Sequence, residues 1–145
     1  MSDKRYRSEA ELADILRKFE DATIGRDDWK HAEHMVVALF YLRDLDLEAA
    51  TDKMRSGILN LLVRGFEVDL EKEMPYHQTI TIFWMRLVSA YLARANDGSL
   101  LDKANELAAL YDKDYPMEFY SRELLFSDRA RSEYVEPDLK KLLAE

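Results

Sequence analysis

Trp29-Lys30-His31-Ala32-Glu33-His34-Met35-Val36-Val37-Ala38-Leu39-Phe40-Tyr41-Leu42-Arg43-Asp44 decides the fold of this chain. On helical spacing one side carries His31, His34, Met35, Ala38, Tyr41 and Leu42. The other side carries Val36, Val37, Leu39 and Phe40, so the segment is apolar nearly all round. A helix of that kind is buried on most sides. The segment is therefore expected to be a central helix, capped by Asp27 or Asp28 and running to about Asp44, with other helices packed around it.

Those other helices are marked by their caps and stripes. Ser8 with Glu11 reads as a capping box opening a first helix, whose stripe is Leu12, Ile15, Leu16 and Phe19 and which Gly25 closes. Asp46 is expected to cap a third helix carrying Leu47, Ala50, Met54, Ile58, Leu61 and Leu62, with Gly65 as a left-handed residue past its end. A link from Phe66 to Tyr76, longer than most helix connections, precedes a fourth helix from near His77 to about Ala95. Asn96-Asp97-Gly98 signals a turn, and Ser99 with Asp102 opens a fifth helix. Beyond Asp114 the pattern shortens into helical pieces near Glu118 to Phe126 and from Ser127-Asp128-Arg129 onward. Every long segment has a period near 3.6 and none alternates. The expectation is a single all-α domain over 1–145, with four principal helices in an up-down bundle and an additional C-terminal helical segment.

Composition agrees with this. Of 145 residues 48% are apolar, and only four glycines and three prolines interrupt them, which favours long helices. The net charge of -8 disfavours nucleic acid, whose binding rests on neutralising phosphates, and anionic membrane surfaces. Cysteine is absent, which excludes disulfides and thiolate metal sites. The opening residues Met1-Ser2-Asp3-Lys4-Arg5-Tyr6-Arg7 lack the apolar stretch of a secretory signal, and no apolar run approaches the roughly 18–20 residues that span a bilayer. A cytoplasmic location is the expectation.

The chain holds three histidines, all at helical positions expected to face inward. His31 and His34 are neighbours on one helix face, and His77 opens the fourth helix. In an up-down bundle the starts of the second and fourth helices share one end, which would bring all three imidazoles together. Three imidazoles and a vacant position suit zinc, iron or copper, and make a metal-binding protein, and from it a metal-dependent enzyme acting on a small molecule, the leading expectation. Thr81 and Tyr41 are candidate partners for the rings, and Glu33, Glu48 and Glu73 are candidate carboxylates. Two rivals stand beside it. One is a non-enzymatic helical adaptor or small-ligand sensor whose histidines are structural. The other is a metal-free acid–base enzyme using His77 or His34, with Thr79 or Thr81 contacting substrate. Nitrogens converging within about 4 Å of one point would mark the metal site; rings bonded separately to main-chain carbonyls would mark the structural alternative.

Other features have plainer readings. The aromatic residues and Met35, Met54 and Met85 read as core, and the arginines of Ser121–Arg131 as a solvated face paired with Glu123, Asp128 and Glu133.

Trp29, His31 and His34, followed by Tyr76-His77-Gln78-Thr79-Ile80-Thr81, then Ser121-Arg122-Glu123-Leu124-Leu125-Phe126-Ser127 and Glu136-Pro137-Asp138-Leu139, resemble the pattern of a small bacterial all-helical family in which W-x-H-x-x-H precedes Y-H-E-T-[IL]-T. The resemblance runs from about Phe19 to Leu142. It implies an all-helical fold and carries no particular activity. Gln78 stands where that pattern has Glu, which removes a carboxylate from the position.

Overall fold

The computed structural model describes residues 5–95 and 98–142, and these are all helix, turn and loop with no strand. Five helices carry the fold: α1 (Glu9–Glu20), α2 (His31–Asp44), α3 (Leu47–Asn60), α4 (Gln78–Arg94) and α5 (Leu100–Leu110). Five further residues, Leu61–Gly65, continue α3 as a wider π-type turn. After α5 come a 3₁₀ turn, Tyr115–Glu118, and two short helices, α6 (Arg122–Leu125) and α7 (Asp128–Ser132).

The all-round apolar character of α2 translates into burial. Met35, Val36, Val37, Ala38 and Leu39 are all within 1% of complete burial, and α2 touches α1, α3, α4 and α5. The fifth helix is thus a full member of the assembly, because it covers a side of α2 that the other three leave open. α4 adds contacts with α3 and α7, which holds the C-terminal part against the body.

The caps follow the sequence closely. Ser8, Asp46, Ser99, Ser121 and Ser127 each accept a main-chain N–H from the first turn of α1, α3, α5, α6 and α7. The start of α2 differs from expectation. Residues 25–29 form a turn in which the amides of Asp28 and Trp29 donate to the Gly25 carbonyl, so neither aspartate caps the helix. Glu33 does that work from inside: Oε1 accepts the Lys30 amide at 3.0 Å, while Oε2 accepts the Tyr6 hydroxyl at 2.7 Å. One buried carboxylate therefore closes the first turn of α2 and anchors the segment before α1. Tyr6 is further held by Asn105, which accepts its amide and donates to its carbonyl.

The end of α3 is also corrected. Gly65 is not left-handed; that conformation falls at Glu67, with φ 57°. Glycine is needed at 65 for space, since a Cβ there would lie 2.8 Å from the Ala22 carbonyl oxygen. Of the turn expected at Asn96-Asp97-Gly98, the first two residues lie outside the described residues; Gly98 has φ 95°.

Gly57 marks a close approach of α3 to α1. A Cβ there would sit 2.5 Å and 2.6 Å from ring carbons of Phe19, which is wholly buried and stacked on Trp29 with ring centres 4.6 Å apart. Gly57→Ala gains helix propensity of about 1 kcal/mol, but it drives a methyl into a ring with nowhere to go. Overpacking of this kind costs roughly 1–3 kcal/mol. The expected outcome is net destabilisation in urea unfolding; a variant more stable than the parent would show that the α1–α3 contact is looser.

Candidate functional site

The three histidines are each held by a different main-chain carbonyl. His31, the first residue of α2, turns its ring onto Trp84, centroid to centroid 4.4 Å, and its Nε2 donates to the Tyr111 carbonyl at the end of α5, 3.0 Å away. His34, one turn on, lies against Trp29 with ring centres 4.1 Å apart and planes tilted by 36°, and its Nδ1 donates to the Lys30 carbonyl at 2.9 Å. His77 caps α4. Its Nδ1 accepts the Ile80 amide at 3.2 Å and its Nε2 donates to the Leu125 carbonyl at 2.6 Å, pinning α6 to the start of α4. A carbonyl oxygen can only accept, so the bonded nitrogen carries the proton in each ring and sets the tautomer.

Burial lowers the pKa of all three rings, and His34 falls to about 4. The carbonyl partners oppose the shift without cancelling it. The imidazoles are therefore neutral near pH 7.

This arrangement does not fit the three-histidine metal centre expected for His31, His34 and His77. A metal needs a lone pair from each ring. Both nitrogens of His77 are already engaged, and the free nitrogen of His31 belongs to a ring directed at Trp84 and Tyr111. Among the described residues, no group of three or more His, Asp or Glu side chains is placed to hold a metal ion.

What the fold does bring together is a cavity. His34, Met35 and Ala38 of α2, Met54 and Ile58 of α3, and Ile80, Thr81, Trp84 and Met85 of α4 line a recess of about 200 Å³ that is open to solvent on one side. Pro75, Tyr76 and His77 complete the wall from the link before α4. His34 and His77 thus meet at one cavity as their places at the helix starts suggest, and His31 does not join them. No Asp, Glu, Lys or Arg lines it.

The polar groups of the wall are largely committed. Thr81 Oγ1 donates to the His77 carbonyl at 2.9 Å, and the Tyr76 hydroxyl donates to Gln78 Oε1 at 2.6 Å, leaving only lone pairs on both. His34 Nε2, unprotonated in the tautomer set by Lys30, has no partner among the described residues. No fully buried side-chain nitrogen or oxygen lacks a partner among them, so this nitrogen remains accessible. Sequence reasoning took Met35, Met54 and Met85 as packing and missed that they share one wall; three thioethers on three neighbouring helices were the available signal.

A second recess, of about 600 Å³, lies between α4 and the C-terminal segment, lined among others by Leu47, Arg86, Tyr134 and Lys141. Arg86 there is spent on Tyr134, donating to its hydroxyl at 3.0 Å and lying 4.3 Å from its ring centre. The arginines of the tail behave as a solvated face, with Arg129 pairing Glu133 at 3.4 Å. No helix among the described residues is long and apolar enough to cross a membrane.

Compared with known proteins, the chain matches no family model, no curated protein and no solved structure at a significant level.

Proposed function

We propose that this protein is a non-catalytic helical module that binds a small molecule in the cavity between α2, α3 and α4. The carrying observation is the cavity itself: mostly apolar, free of charged side chains, and walled by three helices. Ligand sites are concave, mainly apolar and fitted with a few placed polar groups, and this cavity lies at the small end of that range. Apolar cavities of about 150 Å³ accept benzene, so the 200 Å³ here suits a molecule about the size of one substituted ring.

A non-catalytic role follows from what lines the wall. No carboxylate, Ser or Cys lies in it, and His34, whose pKa is near 4, is a feeble base. The histidines act as braces: His77 ties α4 to α6, and His31 ties α2 to α5. An up-down arrangement of the four principal helices accounts for the start of α2 and the start of α4 sharing the cavity.

The test is a titration with toluene, read from the fluorescence of Trp84 in a Trp29→Phe background. A saturable one-to-one response is expected. Ala38→Leu, which adds carbons beside the cavity from fully buried α2, should weaken it at least about tenfold, with a circular-dichroism spectrum matching the parent's to show that the overpacking leaves the fold intact. No saturable response, or equal binding by the Ala38→Leu protein, would overturn the proposal.

A further inference from the structure

The same cavity also selects the chemistry of its occupant, an inference that rests on the binding role just proposed. Two features bear on it. First, the wall contains no charged side chain, so an ion entering it would lose part of its hydration and find no counter-charge. That penalty is several kcal/mol or more for a carboxylate or ammonium. Second, the spare hydrogen-bonding capacity of the wall is weighted toward acceptors. Thr81 and Tyr76 have each given their hydroxyl hydrogen to a protein oxygen. His34 has given its Nδ1 hydrogen to Lys30 and retains the lone pair on Nε2. The ring cannot readily turn over to offer a hydrogen instead, because the Lys30 bond and the contact with Trp29 both fix its face.

We infer that the ligand is an uncharged, ring-sized molecule carrying an O–H or N–H donor, such as a phenol or a small neutral alcohol, and that His34 Nε2 accepts that hydrogen. His34 is thereby the specificity residue of the cavity, and Met35, Met54, Ile58, Ile80 and Met85 supply the adaptable apolar contact. An unpaired lone pair facing the wrong ligand costs binding, so the preference for a donor comes from one placed atom.

The experiment compares phenol, toluene and benzoate on the full chain at neutral pH, in the parent protein and in His34→Asn. The Asn amide still donates to the Lys30 carbonyl as Nδ1 does, but its Oδ1 acceptor stops short of the position of Nε2. Phenol is expected to bind the parent, and His34→Asn to weaken it by roughly 2- to 12-fold, the range of one net hydrogen bond. Toluene should bind both proteins equally, within twofold. Benzoate, an anion of similar size, should bind the parent at least about a hundredfold more weakly than phenol, and this arm needs no variant. Equal responses of phenol and toluene to His34→Asn, or benzoate binding within tenfold of phenol, would overturn the assignment of ligand class while leaving the cavity as a binding site. Failure of phenol and toluene alike to saturate would instead remove the binding role on which it rests.

Discussion

Thr79→Val is expected to destabilise the protein by about 2–5 kcal/mol, although it changes a single hydroxyl to a methyl. Thr79 is completely buried in the first turn of α4. Its Oγ1 donates to the Glu133 carbonyl at 2.9 Å and accepts the Val135 amide at 3.2 Å, so one atom holds two main-chain groups of the segment after α7. Valine matches the shape and satisfies neither. The buried Val135 amide left without a partner costs about 1–3 kcal/mol, and the part-buried Glu133 carbonyl adds roughly 1–2. The loss also spreads, because the Tyr120 hydroxyl reaches the Val135 carbonyl at 2.7 Å and Tyr120 is 1% exposed in the aromatic group around Phe83. Thr79→Ser keeps the hydroxyl and should recover most of the stability. The check is the midpoint of urea unfolding for the three proteins. A Thr79→Val midpoint equal to that of the parent would mean the C-terminal segment is not docked through this residue.

Acid should weaken the fold in a window set by the histidines. The folded state holds His34 neutral down to about pH 4, whereas an unfolded imidazole takes up its proton near 6.5. Between these values the unfolded chain binds the extra proton, so stability rises with pH there and falls as pH drops. The contribution is fully present above about 6.5 and is spent at about 4. Its size is about 1–2 kcal/mol for His34, because the half-buried ring is partly screened by solvent. His31 and His77, also lowered by burial, act in the same direction. The carboxylates that the structure holds low, Asp14 through Arg17, Asp44 through Arg43 and Asp138 through Ser121, lose their contribution only at more acid pH, so the two effects separate. Unfolding free energies measured from pH 7 to 4 should fall steadily. His34→Phe should remove the largest share of that slope, since the Lys30 carbonyl keeps the main-chain amides of Glu33 and His34 as donors. A flat profile in the parent would contradict the desolvation that lowers the His34 pKa.

Much of this fold was legible because it is written in local chemistry. Helix caps are side chains reaching their own first turn, so Ser8, Asp46 and Ser99 announce helices whatever surrounds them. The burial of α2 follows from its lack of a polar face. The misplaced start of α2 has a non-local cause: Glu33 is fixed by Tyr6, 27 residues away, and Trp29 by Phe19. The histidines show the limit most clearly. Spacing put His34 and His77 at helix starts that line one cavity, while all three rings are only half-buried. What decides their chemistry is the position of three carbonyl oxygens, at Lys30, Tyr111 and Leu125. Every residue has a carbonyl, so no residue type in the sequence marks these. Each ring is instead bonded to its own carbonyl, and the cavity emerged from methionines that looked like ordinary packing.

The most direct measurement is a crystal structure of the protein grown with 4-bromophenol, with the bromine located from its anomalous scattering. A single strong site is expected among Met35, Met54, Ile80 and Met85, with the phenol oxygen within hydrogen-bonding distance of His34 Nε2. Bromine found only outside that space, with the cavity between α2, α3 and α4 vacant, would contradict it.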